Sequence, residues 1–360
     1  MGGPTGSPTH PGTSSPAKPS HFDVKAAVLT KLNAPLELWD VEPDQPLHYG
    51  QVLVDMICSG ICGAQLQEIR GEKGNAGYLP HLLGHEGCGV VVQVGQGVSR
   101  VHRGQKVCLH WRKAAGIESC VPSYAGPLGQ VGSGRLATLA RQCIASENRM
   151  TPVPDDTPPE LAALLGCGLS TALGTVEREA SVRMGESVLI VGCGGLGANL
   201  IRACRIAGAA RIGCCDVHQT KQAVAKELGA TEWVVSSDGD PFDVVIETSG
   251  AAGAISKSMK LLGPSGRFIQ IGHLPESEPV TFENFDDMFE GEGKTIKATQ
   301  GGGFQPHRDI PRYIAAWRAG VLKVDGIVTH HLALEHVNEG IELVKSGEAS
   351  RVMIHMAKKP

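Results

Sequence analysis

Cys62, His85 and Cys167 stand far apart in the chain, each set among glycines: Ser59-Gly60-Ile61-Cys62-Gly63, Gly84-His85-Glu86-Gly87 and Gly166-Cys167-Gly168. Two thiolates and an imidazole are the ligand set of a catalytic zinc that keeps a fourth position open for water or substrate. Taken singly, each also reads as a small buried thiol or as a core histidine that makes its hydrogen bonds internally. The flanking glycines, and a second motif that starts twenty-five residues after Cys167, favour the joint reading.

That motif is Gly192-Cys193-Gly194-Gly195-Leu196-Gly197, fed by the apolar run Ser187 to Val191 and followed by a helical pattern. Strand, glycine turn and helix in that order are the context a bare G-x-G-x-x-G lacks. Gly192 permits a tight turn, Gly194 lets a pyrophosphate approach the backbone, and Gly197 allows helix to pack closely on strand. The anion then sits at the helix N-terminus. Asp216 closes the next expected strand, Arg211 to Cys215, nineteen residues after Gly197. A carboxylate there accepts from both hydroxyls of an adenosine ribose. It would repel a 2′-phosphate, and Val217-His218-Gln219-Thr220 brings no arginine to receive one. NAD is therefore expected over NADP. Glycine turns of this kind also occur without a ligand, but here strand, spacing and acid coincide.

The elements that must position these residues fall into two styles. From Phe22 to about Gln105 the chain reads as short β runs broken by glycine and proline: Val24 to Leu29, Gln51 to Cys58, Cys88 to Val94 and Gln105 to Leu109. Val121 to Gly134 is rich in Gly, Ser and Pro and reads as a loop. After Pro158 helix and strand patterns alternate: a helix from Pro159 to Leu165, strands at 187–191, 211–215, 243–246 and 267–271, and helices at 202–207, 219–228 and 253–262. Such alternation predicts a parallel sheet of βαβ units. Ile327 to Met356 returns to a strand, a helix from Glu335 to Ser346 and a strand from Arg351 to His355.

Composition narrows the function classes. With 360 residues, 41% of them hydrophobic and 19% charged, the chain has enough apolar material for one large core or two. Forty-seven glycines without an every-third-residue period exclude collagen. A net charge of −4 with no basic cluster gives no footprint for nucleic acid, and no apolar run is long enough to span a membrane. Residues 1–20 lack the apolar core of a secretory signal and read as a disordered tail. Eleven cysteines, an odd number scattered through apolar segments, suit reduced thiols in the cytoplasm.

The chain resembles the zinc-dependent medium-chain alcohol dehydrogenase family from about Val24 to Met356. The motifs that carry the likeness are Gly60-Ile61-Cys62-Gly63, Gly84-His85-Glu86-Gly87-Cys88-Gly89-Val90-Val91, Val94-Gly95-Gln96-Gly97-Val98, Gly104-Gln105-Lys106-Val107, Gly166-Cys167-Gly168-Leu169-Ser170-Thr171 and the glycine fingerprint. The resemblance implies an α/β protein with a GroES-like, mostly-β catalytic domain at 21–168 and 318–360. A doubly wound, Rossmann-type NAD domain is inserted between them at 169–317. It implies Cys62, His85 and Cys167 as ligands of one catalytic zinc, with Glu86 as an adjacent carboxylate able to approach the metal. Thr171 is expected near the nicotinamide, Asp216 and Lys221 at the adenosine ribose, and Arg351 at the pyrophosphate. Gly192, Gly194, Gly195, Leu196, Gly197 and Ile271 complete the expected cofactor face. It also implies a homodimer or homotetramer joined along the cofactor-sheet edge near Arg267 to Ile271 and Thr295 to Thr299.

Two departures from the family pattern stand out. The stretch His110 to Tyr124 holds only Cys120 where members usually carry four closely spaced cysteines, so no structural zinc is expected. Ala64 stands where many members have a Ser or Thr that relays the alcohol proton, followed by Gln65 and Gln67. The proton must leave by water at the zinc, Glu86, His110 or a neighbouring substrate hydroxyl. Trp111 falls at the wall of the family's substrate cleft, and Arg112 and Lys113 beside it suit a polar or anionic substrate: a polyol, sugar, cyclitol or phosphorylated alcohol. The equally bland reading makes both cations solvated. Competing functions are a zinc-independent quinone or enone reductase of the same superfamily, a noncatalytic NAD-binding protein, and an epimerase or lyase that retains its NAD.

Overall fold

The computed structural model describes residues 24–72, 76–274, 279–281 and 285–356; the tail expected at 1–20 lies outside them. The chain opens with strands β1 (Val24–Leu29), β2 (Glu37–Pro43) and β3 (Gln51–Ile61), then helix α1 (Gly63–Arg70). Strands β4 (His81–Leu82), β5 (Glu86–Val94), β6 (Lys106–His110), β7 (Tyr124–Gly126), β8 (Gly129–Val131), β9 (Gln142–Ser146) and β10 (Met150–Pro152) follow. Helices α2 (Pro159–Leu165) and α3 (Gly168–Gly174) lead out of this β-rich part.

The second part alternates: β11 (Ser187–Val191), α4 (Gly195–Ala207), β12 (Arg211–Cys215), α5 (Gln222–Leu228), β13 (Glu232–Trp233), β14 (Phe242–Glu247), α6 (Ala252–Met259), β15 (Leu262–Gln270) and β16 (Thr295–Ala298). After α7 (Pro306–Arg318) come β17 (His330–Ala333), α8 (Val337–Lys345) and β18 (Val352–His355).

Six strands form one all-parallel sheet in the order β13-β12-β11-β14-β15-β16. Val188 to Ile190 and Val244 to Ile246 are fully buried, as expected where helices cover both faces. Strand order reverses between β11 and β14, and in such sheets ligands lie outside the carboxyl ends at that switch point. The β-rich part holds a five-stranded sheet, β4-β1-β2-β7-β8, and a larger one in which β18 from the chain's end pairs antiparallel with β3. The C-terminal strands thus return to the first part, which is the discontinuity expected for the fold.

The stretch 121–134 is not a plain loop. It contains the β7–β8 hairpin because Tyr124 is buried and its hydroxyl accepts the Ile144 backbone N–H. The helix expected through Leu262 ends by Met259, since Leu262 pairs with Phe242 across the sheet. Helix α7 was not expected. Pro311 lies inside it and masks the periodicity, while Pro306 at the first turn starts it without loss of a helical hydrogen bond. Its Ile310, Tyr313 and Ile314 pack with Leu161 to Leu165 and with Cys58, Cys88 and Cys108. Among the described residues no single helix is long and apolar enough to cross a membrane.

Candidate metal centre and cofactor cleft

Strand β3 ends at Ile61 and the chain turns into α1, which puts Cys62 at the helix N-cap. Cys167 holds the same place before α3, and His85 sits just ahead of β5. Elements that carry residues 23 to 105 positions apart thereby bring Cys62, His85 and Cys167 together, their ligand atoms all within 4.8 Å of one another. The Cys167 thiol, with His85 and Arg351 adding to it against burial, holds Cys62 well below the ordinary thiol range. Cys167, pressed by the Cys62 charge and by burial, lies well above it. Burial would lower His85, but Cys62, Glu86 and Glu68 outweigh it and raise its pKa. The group is an electron-rich, half-buried triangle suited to a divalent cation that takes soft ligands.

Gln65 was missed as a site residue. Fully buried one turn into α1, it accepts the Cys62 backbone N–H at 2.9 Å through Oε1 and sets its amide nitrogen 2.6 Å from Nδ1 of His85. One side chain therefore orients two of the three ligands. The signal available in sequence was its spacing of three residues from Cys62, which returns it to the same helix end.

Glu86 is adjacent to the triangle but not part of it. Its carboxylate is 0% exposed, lies 3.3 Å from the Arg351 guanidinium and accepts the Gly168 N–H at 3.3 Å; burial raises its pKa against the pull of Arg351. Arg351 itself is 2% exposed and donates to the Ile61 carbonyl. Burial opposes its charge, and Glu86 with the two cysteines more than restores it. A Cβ on Gly168 or Gly195 would touch the Arg351 side chain, so this arginine spans from the metal-ligand triangle to the glycine turn. Within the chain its partners include Glu86 and the Ile61 carbonyl.

In the glycine turn, Gly192 has φ +93°, and a Cβ on Gly197 would lie 2.1 Å from the Gly192 carbonyl oxygen. Turn and helix start are thus held together as the spacing requires, while Gly194 faces open space and Leu196 packs half-buried beside the sheet core. Asp216 accepts the Cys193 N–H at 2.7 Å and the His218 N–H at 2.9 Å, with Lys221 at 3.3 Å. Next to it a cavity of about 380 Å³ is bounded by His218, Thr220 and Lys221 on one side and by Ser346, Gly347 and Ser350 on the other. The 346–350 wall was not foreseen, because it comes from a loop 130 residues further along. Thr171 is buried, and its hydroxyl has no hydrogen-bond partner among the described residues. Ile271 follows the carboxyl end of β15, its N–H bonded to the Glu247 carbonyl.

A second cavity of about 200 Å³ opens against His85 and is lined by Glu68, His81, Trp111, Ser133 and Arg135. Trp111 stands at the wall as expected, and half-buried Ala64 supplies no hydroxyl next to Cys62. The two other residues expected toward substrate do not reach it. His110 is 0% exposed, with Nδ1 2.7 Å from the Arg112 carbonyl and Nε2 2.9 Å from the Thr151 hydroxyl, and burial lowers its pKa to about 4. Arg112 donates to the Gln300 carbonyl at 2.6 Å and covers the rings of Trp111 and Phe304. Lys113 turns to Glu118 at 3.1 Å. Polar character is supplied instead by Glu68, His81 and Arg135, whose spacing gave no signal. Burial lowers His81 against the opposing charge of Glu68.

The chain matches two family models: residues 48–155 match the alcohol dehydrogenase GroES-like domain, and residues 195–317 match the zinc-binding dehydrogenase domain. It is 29% identical to "alcohol dehydrogenase 6" of Peromyscus maniculatus over 92% of this chain and 97% of that protein. Among solved structures it superposes on an alcohol dehydrogenase zinc-binding domain protein from Burkholderia ambifaria with TM-score 0.85 at 26% identity, covering 93% and 99% of the two chains. It also superposes on benzyl alcohol dehydrogenase of Acinetobacter calcoaceticus with TM-score 0.82 at 22% identity, covering 93% and 99%.

Proposed function

Because the chain belongs to the zinc-dependent medium-chain alcohol dehydrogenase family, we propose that it oxidises a small hydroxylated alcohol with NAD, or runs the reverse reduction, at one zinc held by Cys62, His85 and Cys167. The observation that carries this reading is the convergence of those three ligand atoms against the mouth of a polar cavity that shares His85 with them. When bound, zinc acts as a Lewis acid toward the alcohol or carbonyl oxygen and the nicotinamide takes or gives the hydride.

The chain's own residues prepare and confine this step. Gln65 orients Cys62 and His85, and Glu86 with Arg351 supplies a buried charge pair behind them. Asp216 is the acceptor for the adenosine ribose, which favours NAD. Ala64 passes no proton, and neither His110 nor Glu86 lines the substrate cavity. We assign proton acceptance to His81, which lines the same cavity as His85 and whose pKa burial lowers. Arg112 and Lys113 are tied to internal partners, and Arg135 at the cavity is itself held by Glu118 and the Ser119 carbonyl, so the lining beside His85 is Glu68, His81, Ser133 and a paired Arg135. A set of donors and acceptors in about 200 Å³ suits a short polyol or cyclitol better than a phosphorylated substrate.

Zinc analysis together with NADH formation across polyols, cyclitols, sugars and simple alcohols tests the reading. The expected result is a tightly held zinc, NAD-dependent turnover, and loss of both metal and turnover in Cys62→Ala and Cys167→Ala. NAD binding without turnover on any alcohol would instead establish a noncatalytic nucleotide-binding protein. A metal-free enzyme active with NADPH would establish the reductase alternative.

A further inference from the structure

At the N-terminal end of α2, whose other end leads to Cys167, a second set of side chains able to ligate a metal meets at the surface. Nδ1 of His331 lies 3.1 Å from Oε1 of Glu160 and 3.2 Å from Nε2 of His355, and the third edge, His355 Nε2 to Glu160 Oε1, is 3.6 Å. The two imidazoles stack with centroids 5.5 Å apart and planes 27° from parallel. Sheet geometry enforces this. Strands β17 and β18 run parallel with Ala333 opposite His355 and His331 opposite Met353, so the two histidines share a face one diagonal step apart. Glu160 enters from the first turn of α2.

The three atoms form one tight triangle, and a proton cannot serve them all. A proton on one imidazole nitrogen satisfies one edge of the triangle and leaves the others as facing lone pairs. Protons on both nitrogens face each other across 3.2 Å. A cation at the centre is bonded by all three at once. Bonds of 2.0–2.1 Å to nitrogen and oxygen give a tetrahedral edge of about 3.4 Å, which the observed 3.1, 3.2 and 3.6 Å bracket.

We propose that Glu160, His331 and His355 form a surface site for a divalent transition-metal cation of the Zn²⁺ class. Two imidazoles with one carboxylate select that class over Mg²⁺ and Ca²⁺, which take oxygen ligands. The side chains are 38%, 46% and 37% exposed, so water completes the shell and the ion binds more weakly than at two thiolates. The site clamps the start of α2, which runs on to Cys167, to β18, which begins right after Arg351. Its occupancy therefore braces two segments of the dehydrogenase centre without entering it.

The test uses the full chain already holding its tightly bound zinc, titrated with Zn²⁺ by calorimetry and with Co²⁺ by absorption. Wild type takes up one further equivalent. Its Co²⁺ spectrum shows no sulfur-to-metal charge transfer, and binding raises the melting temperature by a few degrees. His331→Ala with His355→Asn, and separately Glu160→Gln, weaken this equivalent at least about tenfold while the first zinc and turnover are retained. Absence of a further equivalent in wild type overturns the proposal. So does one that survives the double substitution or shows thiolate charge transfer. Loss of the first zinc in wild type would count against the dehydrogenase reading and not against this site.

Discussion

His110 makes two internal hydrogen bonds in a place closed to water, and burial sets its pKa at about 4. In the unfolded chain a histidine binds its proton near 6.5. The folded pKa is the lower one, so its contribution is fully present above about 6.5 and is lost as pH falls through that value toward about 4, by up to ~3 kcal/mol. Unfolding midpoints of wild type and His110→Gln measured between pH 7.5 and 4.5 should converge as the pH drops. Parallel curves would show that His110 is not the group responsible. Gln65 acts on the metal through its ligands: Gln65→Ala is expected to weaken zinc roughly 10–100-fold in a chelator competition, with Gln65→Glu restoring much of the loss. At the ribose, Asp216→Asn should shift the NAD:NADP preference toward NADP by about 10–100-fold in kcat/KM, the worth of a charged hydrogen bond lost and a repulsion removed. These residues differ in legibility. Asp216 announces itself by following a strand at fixed distance from the glycines. His110 resembles any other polar residue at a strand end, until its neighbours Thr151 and Arg112 are seen to satisfy it.

At the scale of elements, the junction of β11 and α4 leaves no space at Gly197 for one added methyl group. Gly197→Ala would press a Cβ on the Gly192 carbonyl, costing about 1–3 kcal/mol and displacing the helix start that receives the anion. Thermal unfolding and NAD affinity should both fall. A second junction joins the segment after α3 to α7: Asp309, 0% exposed, takes two hydrogen bonds of 2.6 Å from Arg178 and one from the Gln305 N–H. Asp309→Ala leaves the guanidinium, itself partly solvated, without its partner. A loss of about 2–4 kcal/mol in denaturant unfolding is expected, below the full value for a wholly buried pair. The strands and helices of the parallel sheet were legible because apolar runs bounded by glycine repeat at βαβ spacing. Helix α7 and the β7–β8 hairpin were not, because Pro311 and the glycines around Tyr124 imitate loop composition while tertiary contacts override it.

For the whole molecule, β16 ends the parallel sheet, with no further strand paired to it among the described residues. Thr295 to Ala298 are exposed along their length, with Phe285 and Phe289 also exposed nearby in the chain. An unpaired, partly apolar edge is a template for strand pairing, and we propose that two copies join there as a dimer. Sedimentation velocity should find twice the chain mass, and Ile296→Lys should shift it toward monomer; a monomeric wild type would refute the pairing.

The sequence by itself determined the glycine turn and the alternation that makes a parallel sheet, because each depends on residues a few positions apart under local geometric rules. Only the tertiary structure decided which polar groups face the substrate cavity. Arg112, Lys113 and His110 lie next to Trp111 in the chain but spend their hydrogen bonds on Gln300, Glu118 and Thr151. Glu68, His81 and Arg135 reach the cavity from three separate segments. A buried donor or acceptor goes to whichever partner the fold brings within about 3 Å, and sequence proximity carries no information about that competition.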